Sequence, residues 1–197
     1  MKLFKNIKNW LENQEHLFYL FLFILIVPNM VLCFTEPLPF MAKVANVLLP
    51  FGCYYLLMTL LRNCGKMLWI LFLFLFFGAF QIVLLYLFGQ SIIAVDMFLN
   101  LVTTNSSEAL ELLDNLTPAI IAVIILYVPA LILGTISIIR KRKLTVEFIR
   151  RERKRAFLVF GISLLSLVGA YVQDSGYELK SDLYPLNVCS NVCLAFQ

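Results

Sequence analysis

The chain has 197 residues, of which 61% are hydrophobic and only 14% charged, with 18 Phe and a mean hydropathy of +0.89. A soluble domain is roughly half apolar and a quarter charged, so a water-soluble globule is excluded. The net charge of +4 does not point to nucleic acid, because nine of the 16 basic residues crowd into Arg140–Arg155 beside a hydrophobic segment, where membrane topology accounts for them.

In Met1–Gln14, Leu3, Phe4, Ile7, Trp10 and Leu11 recur at helical spacing against Lys2, Lys5 and Lys8. The stretch reads as an amphipathic helix on the cytoplasmic surface, and equally well as a basic anchor for the first span. Uncharged apolar segments then run from Leu17 to Phe34, Val44 to Leu61, Met67 to Phe88, Pro118 to Ile139 and Ala156 to Val172. At about 1.5 Å of rise per residue, some 20 residues cross a hydrocarbon core of about 30 Å, so the expected architecture is all-α with five transmembrane helices. The third and fourth are comfortably long and the others need tilt or local thinning. The first is not a cleaved signal peptide by pattern, since no small-residue site precedes Thr35-Glu36-Pro37. Pro28 and Pro50 fall inside the first two spans, where each removes a backbone donor and should bend the helix or leave a carbonyl for a neighbour to satisfy.

Between the third and fourth spans, Ser91–Thr117 is too long for a turn. Ile92, Ile93, Val95, Phe98, Leu99 and Val102 recur at a helical period, and Ala109, Leu110, Leu112 and Leu113 do so after Asn105, which predicts two short helices on the membrane surface. Asn100, Thr104 and Glu108 are spaced four apart. On one continuous helix they would share a face and offer an amide, a hydroxyl and a carboxylate to an ammonium or hydroxyl-rich head group. The same residues also fit a helix start, with Asn105 as N-cap and Glu108 three residues later as a capping box. Spacing alone favours the cap.

Orientation follows from the loops. With the N-terminus inside, 14 of the 16 basic residues are cytoplasmic and only Lys43 and Lys180 lie outside, together with eight of the 12 acids. The C-terminus is therefore expected on the outer side. Asn105-Ser106-Ser107 and Asn115-Leu116-Thr117 match the glycosylation triplet there, a pattern common by chance and meaningless in a bacterium.

Residues with the chemistry of a complete active site are scarce. The single His, His16, sits at the entrance of the first span, and Cys33, Cys53 and Cys64 read as small apolar residues. Cys189 and Cys193 share the outer compartment, but a disulfide across one turn of helix has unfavourable geometry. No Asp, Glu, Lys or Arg falls within the five spans, which argues against an ion-coupled transporter. Gln81, the most polar side chain far from a span end, is expected to hydrogen-bond between helices.

The stretch from Ala94 to Leu113, Ala-Val-Asp-Met-Phe-Leu-Asn-Leu-Val-Thr-Thr-Asn-Ser-Ser-Glu-Ala-Leu-Glu-Leu-Leu, comes after three spans and precedes a Pro-led fourth. It resembles the bacterial lipid A phosphoethanolamine transferases, the group that includes colistin-resistance enzymes. The likeness covers the whole chain in layout, with Asp96–Leu113 carrying the residue-level weight. It implies five spans in the inner membrane, a bihelical periplasmic segment over 91–117, a basic loop between spans four and five, and a periplasmic exit. Such proteins move phosphoethanolamine from phosphatidylethanolamine to a phosphate of lipid A through a Thr beside zinc. The Thr and the zinc ligands belong to a soluble α/β domain that comes after the membrane part. By that resemblance residues 1–172 are the membrane domain, 173–197 a linker towards a catalytic domain that the sequence does not contain, and no zinc site is expected within the chain. The family's Asn, Thr and Glu at this spacing help bind the donor head group, which assigns Asn100, Thr104 and Glu108 to phosphatidylethanolamine. A polytopic scaffold or lipid-binding protein without enzymatic work is the alternative.

Fusions of alkaline phosphatase test the topology. A fusion within Arg140–Arg155 is expected to be inactive and one after Gln197 active; the reverse pattern would overturn the five-span reading.

Overall fold

The computed structural model describes residues 10–35, 37–88 and 106–177. Among them every regular element is a helix: α1 Gln14–Thr35, α2 Phe40–Met58, α3 Cys64–Ile70, α4 Phe72–Phe88, α5 Ser106–Ile139 and α6 Val146–Gln173. Four helices are long and apolar enough to cross a membrane, and a fifth crossing is counted if α3 and α4, bent by 62° at Leu71, form one span. The architecture is that of a multi-pass helical membrane protein.

Local chemistry sets the boundaries. The Asn13 side chain accepts a hydrogen bond from the Glu15 amide at 2.9 Å and opens α1. Pro39 stands at the N-cap of α2, which therefore starts four residues before the apolar run at Val44. The Asn63 side chain caps α3 through the Lys66 amide at 2.8 Å, and Thr145 caps α6 through the Phe148 amide at 3.2 Å. α5 ends in a Schellman turn: Arg142 N donates to Ser137 O at 3.1 Å and Lys141 N to Ile138 O at 2.9 Å, with Lys141 at φ 50°.

Three expectations change. The first of the two surface helices, over 92–102, lies outside the described residues, as does most of the Met1–Gln14 segment. The second is no separate element, because residues 106–116 continue without a break through Pro118 and Pro129 into a 34-residue α5. Ala-Leu-Glu-Leu-Leu is strongly helix-forming, and in an apolar medium a continued helix satisfies more backbone groups than a turn before Pro118 would. The basic stretch before the last span is loop only over 140–145. From Val146 it is helix, because Phe148, Ile149, Glu152 and Ala156 recur on one buried face while Arg150, Arg151, Arg153, Lys154 and Arg155 take the other. The stretch expected as one straight third span is instead the bent pair α3 and α4.

Small residues let the helices approach. α2 and α6 run antiparallel, with Ala42, Ala45 and Ala170 fully buried between them and Gly52 so close to Phe160 that an added Cβ would meet its Cα at 3.0 Å. α3 meets α5 at Gly65 and Gly134. Around this core Phe18, Phe21, Leu17, Met58 and Leu68 are buried, whereas α5 and α6 turn Ile125, Leu165 and Val172 outward at 69%, 71% and 83% exposure. An apolar exterior over an apolar interior is what a lipid-facing helix requires. The N-terminal end of α1, the start of α3, the C-terminal end of α5 and the start of α6 gather at one end with the arginines, so α5 begins and α6 finishes towards the other.

The glycine contact is directly testable. A Cβ on Gly65 would lie 2.2 Å from the Gly134 carbonyl oxygen, a backbone atom, whereas one on Gly134 would be crowded only by the flexible tip of Leu68 at 3.1 Å and would meet Gly65 backbone at an ordinary 3.7 Å. Gly65→Ala is expected to destabilise by about 1–3 kcal/mol or more through overpacking, and Gly134→Ala to be near neutral. Thermal unfolding in detergent separates them; equal midpoints would show that α3 and α5 do not meet this closely.

Candidate functional site

Polar side chains inside the bundle form three groups. At the basic end, Gln14 Oε1 accepts from the Ser137 hydroxyl at 2.6 Å and from Cys64 Sγ at 3.3 Å, tying α1 to α3 and α5. Asn63 Nδ2 donates to Arg142 O at 2.7 Å and Ser137 O at 3.1 Å, so one side-chain amide both caps α3 and holds the turn that closes α5. Arg62 and Leu144 exchange bonds, Leu144 N to Arg62 O at 2.7 Å and Arg62 Nε to Leu144 O at 3.1 Å. Arg140 and Arg142 reach Glu12 at 3.3 and 3.7 Å; these pairs are partly exposed and contribute little.

Glu152 anchors the second group. Its side chain is fully buried and accepts from Tyr55 Oη at 2.5 Å, Arg151 Nε at 2.8 Å and Arg155 Nη1 at 2.9 Å. It precedes the charge-free stretch that begins at Ala156. Phe18 and Phe148 pack edge to face beside it at 5.4 Å, and Arg151 lies 5.2 Å over the Phe148 ring. A buried carboxylate held by tyrosine and arginine donors joins α2 to α6 and leaves no open position for a substrate.

The third group lies towards the other end. Pro50 has no amide, so the Asn46 carbonyl four residues earlier loses its helical donor. Asn29 Nδ2, on α1, donates to that carbonyl at 3.1 Å, and the Tyr177 hydroxyl donates to Asn46 Oδ1 at 2.8 Å. The expected consequence of Pro50, a carbonyl answered by a neighbouring helix, is realised at this position. Nearby, Met41 N donates to Gln173 Oε1 at 2.8 Å and closes α2 on the end of α6.

Of the residues assigned to the donor lipid, Asn100 and Thr104 lie outside the described residues. Glu108 is the third residue of α5 as described, and its side chain lies outside the described part of the structure. Cys189 and Cys193 are outside as well. His16 stacks on Trp10 with ring centroids 4.9 Å apart, and its Nδ1 lies 3.1 Å from Trp10 O, so it is an end-of-helix residue. Cys64 departs from the purely apolar reading by its contact with Gln14. Gln81 is buried within the bundle. Among the described residues no three His, Cys, Asp or Glu side chains gather as metal ligands would. Glu152 and Asn63 were not singled out by spacing alone. The available signals were a lone acid on the apolar face of a basic run and an Asn three residues before Lys66 at a helix start. No family model, curated protein or solved structure matches this chain.

The Asn29–Asn46 bond predicts a coupled pair of substitutions. Asn29→Leu removes the donor to a buried carbonyl and is expected to cost about 1–3 kcal/mol. Pro50→Ala returns a helical amide to Asn46 O, so Asn29→Leu should cost at least about 0.5 kcal/mol less in that background. Unfolding of the four proteins in detergent measures the coupling; additive losses would show that the two positions do not share the carbonyl.

Proposed function

We propose that this chain is the membrane part of a phosphoethanolamine transferase, holding phosphatidylethanolamine at the periplasmic face of the inner membrane for transfer to lipid A by a zinc-bearing catalytic domain. The observation that carries the reading is the Ala94–Leu113 motif, whose last eight residues lie in α5, with Asn100, Thr104 and Glu108 at four-residue intervals. Glu108 stands in the first described turn of a helix that continues unbroken into the bundle, so the residue rides on a continuous element. In this reading Glu108 takes the ammonium, and Asn100 and Thr104 donate to the phosphodiester oxygens. α6 finishes towards the end where α5 begins, which suits a catalytic domain attached on the side of the donor site.

Phosphatidylethanolamine carries N–H donors that phosphatidylcholine lacks, so their competition reads the ammonium contact. The purified chain in detergent is expected to retain phosphatidylethanolamine in preference to phosphatidylcholine by native mass spectrometry. Glu108→Gln keeps shape and removes charge; a charge-assisted contact of about 1.5–3 kcal/mol predicts a loss of roughly 10- to 150-fold in that preference. Asp114→Asn, six residues and about 9 Å further along α5, should change it little. Equal losses for both variants, or a wild-type chain without preference, would replace this reading with that of a scaffold.

A further inference from the structure

We propose that the basic end of the bundle carries a second lipid site, a groove for the phosphate of an acidic phospholipid such as phosphatidylglycerol. The groove, of about 500 Å3, opens between the α2–α3 turn and the start of α6. Arg62, Arg150, Arg153 and Lys154 line it, and Leu60 and Phe157 are among its apolar walls. It is separate from Glu108, since α5 begins towards the opposite end, and the inference does not rest on the transferase reading.

Three observations converge. First, the cations at this end of the bundle are only in part paired with carboxylates. Arg140 and Arg142 reach Glu12, and Arg151 and Arg155 reach Glu152, but none of the four lining cations has a carboxylate within ion-pair distance among the described residues. Second, two of the four are held in place without being neutralised: Arg153 Nη2 donates to Thr59 O at 2.8 Å and Arg62 Nε to Leu144 O at 3.1 Å. A guanidinium has five N–H donors, so each keeps others for a phosphate, and its rotamer entropy is already spent. Third, the groove sits where charge stops. Lys154 and Arg155 are the last cations before the apolar stretch from Ala156, and Phe157, 61% exposed, is its first large outward side chain. A ligand here meets cations above and an apolar surface below, which matches a lipid phosphate joined to acyl chains. Retention of positive loops in the cytoplasm accounts for the number of cations at this end, but it does not require them to converge on one concavity.

The test uses the whole chain in detergent, titrated separately with phosphatidylglycerol and phosphatidylcholine, with bound lipid counted by native mass spectrometry. Phosphatidylglycerol is expected to bind more tightly. Each cation near such a surface is worth about fivefold in affinity, so the exposed pair Arg150→Gln and Lys154→Gln should weaken phosphatidylglycerol by roughly 30-fold and leave phosphatidylcholine unchanged. Lys66→Gln with Lys143→Gln removes the same charge from exposed positions at the same end but outside the groove, and should weaken it by no more than about threefold. Equal losses for the two pairs would reduce the effect to diffuse charge and overturn the site, as would no loss for either. Displacement of phosphatidylglycerol by an equal concentration of inorganic phosphate would reassign the groove to a soluble anion and overturn the lipid proposal.

Discussion

In an apolar medium a polar group keeps a low free energy only when another protein group answers it, and the bundle is organised by that requirement. Pro50 interrupts the backbone ladder of α2, and the amide that answers the exposed Asn46 carbonyl comes from Asn29, on a different helix. In the turn after α5, Asn63, which caps the start of α3, donates to the Arg142 carbonyl and to Ser137 O. Each defect in one helix thus becomes a link to another. Such links have direction and length, whereas the surrounding Leu and Phe contacts are tolerant of sliding. They set the register in which the apolar faces meet.

The two ends of the bundle are built differently. At the basic end, Gln14, Asn63, Ser137 and Glu152 tie five of the six helices through side-chain bonds. Towards the other, α2 and α6 are joined through Asn46, Gln173 and Tyr177 over a layer of Ala42, Ala45 and Ala170. The outer faces of α5 and α6 are apolar between them. Polar bonds combined with close small-residue packing are how a helical membrane protein gains specificity where the hydrophobic effect no longer separates inside from outside.

Glu152 shows why a charge count understates such a design. The run from Arg150 to Arg155 reads as a block of positive charge, yet its one acid is turned inward. Two of its arginines fold over that carboxylate and others remain directed to the groove. Neutralising some cations internally and leaving others unpaired divides one basic segment into a structural half and a half free to meet an anion. Helical geometry makes the division, since residues 151 and 155 lie together on one side of 152 while 150, 153 and 154 face elsewhere.

The helical class, the apolar segments and the need for a neighbour at Pro50 were legible in the sequence, because hydropathy over some 20 residues and a missing amide are local properties. So was the Asn100, Thr104 and Glu108 spacing as a candidate, although spacing alone favoured a helix cap. The merging of residues 106–116 into α5 was not legible, since a proline signals equally the start of a helix and a tolerated defect within one. Nor was the bend at Leu71, where neither proline nor glycine marks the break. Which amide serves the Asn46 carbonyl, which cations close on Glu152 and which line a groove depend on residues that pairwise lie up to 97 positions apart in the chain. Only the packing of helices brings them together, because a side-chain bond is decided by distances of about 3 Å that no one-dimensional pattern records.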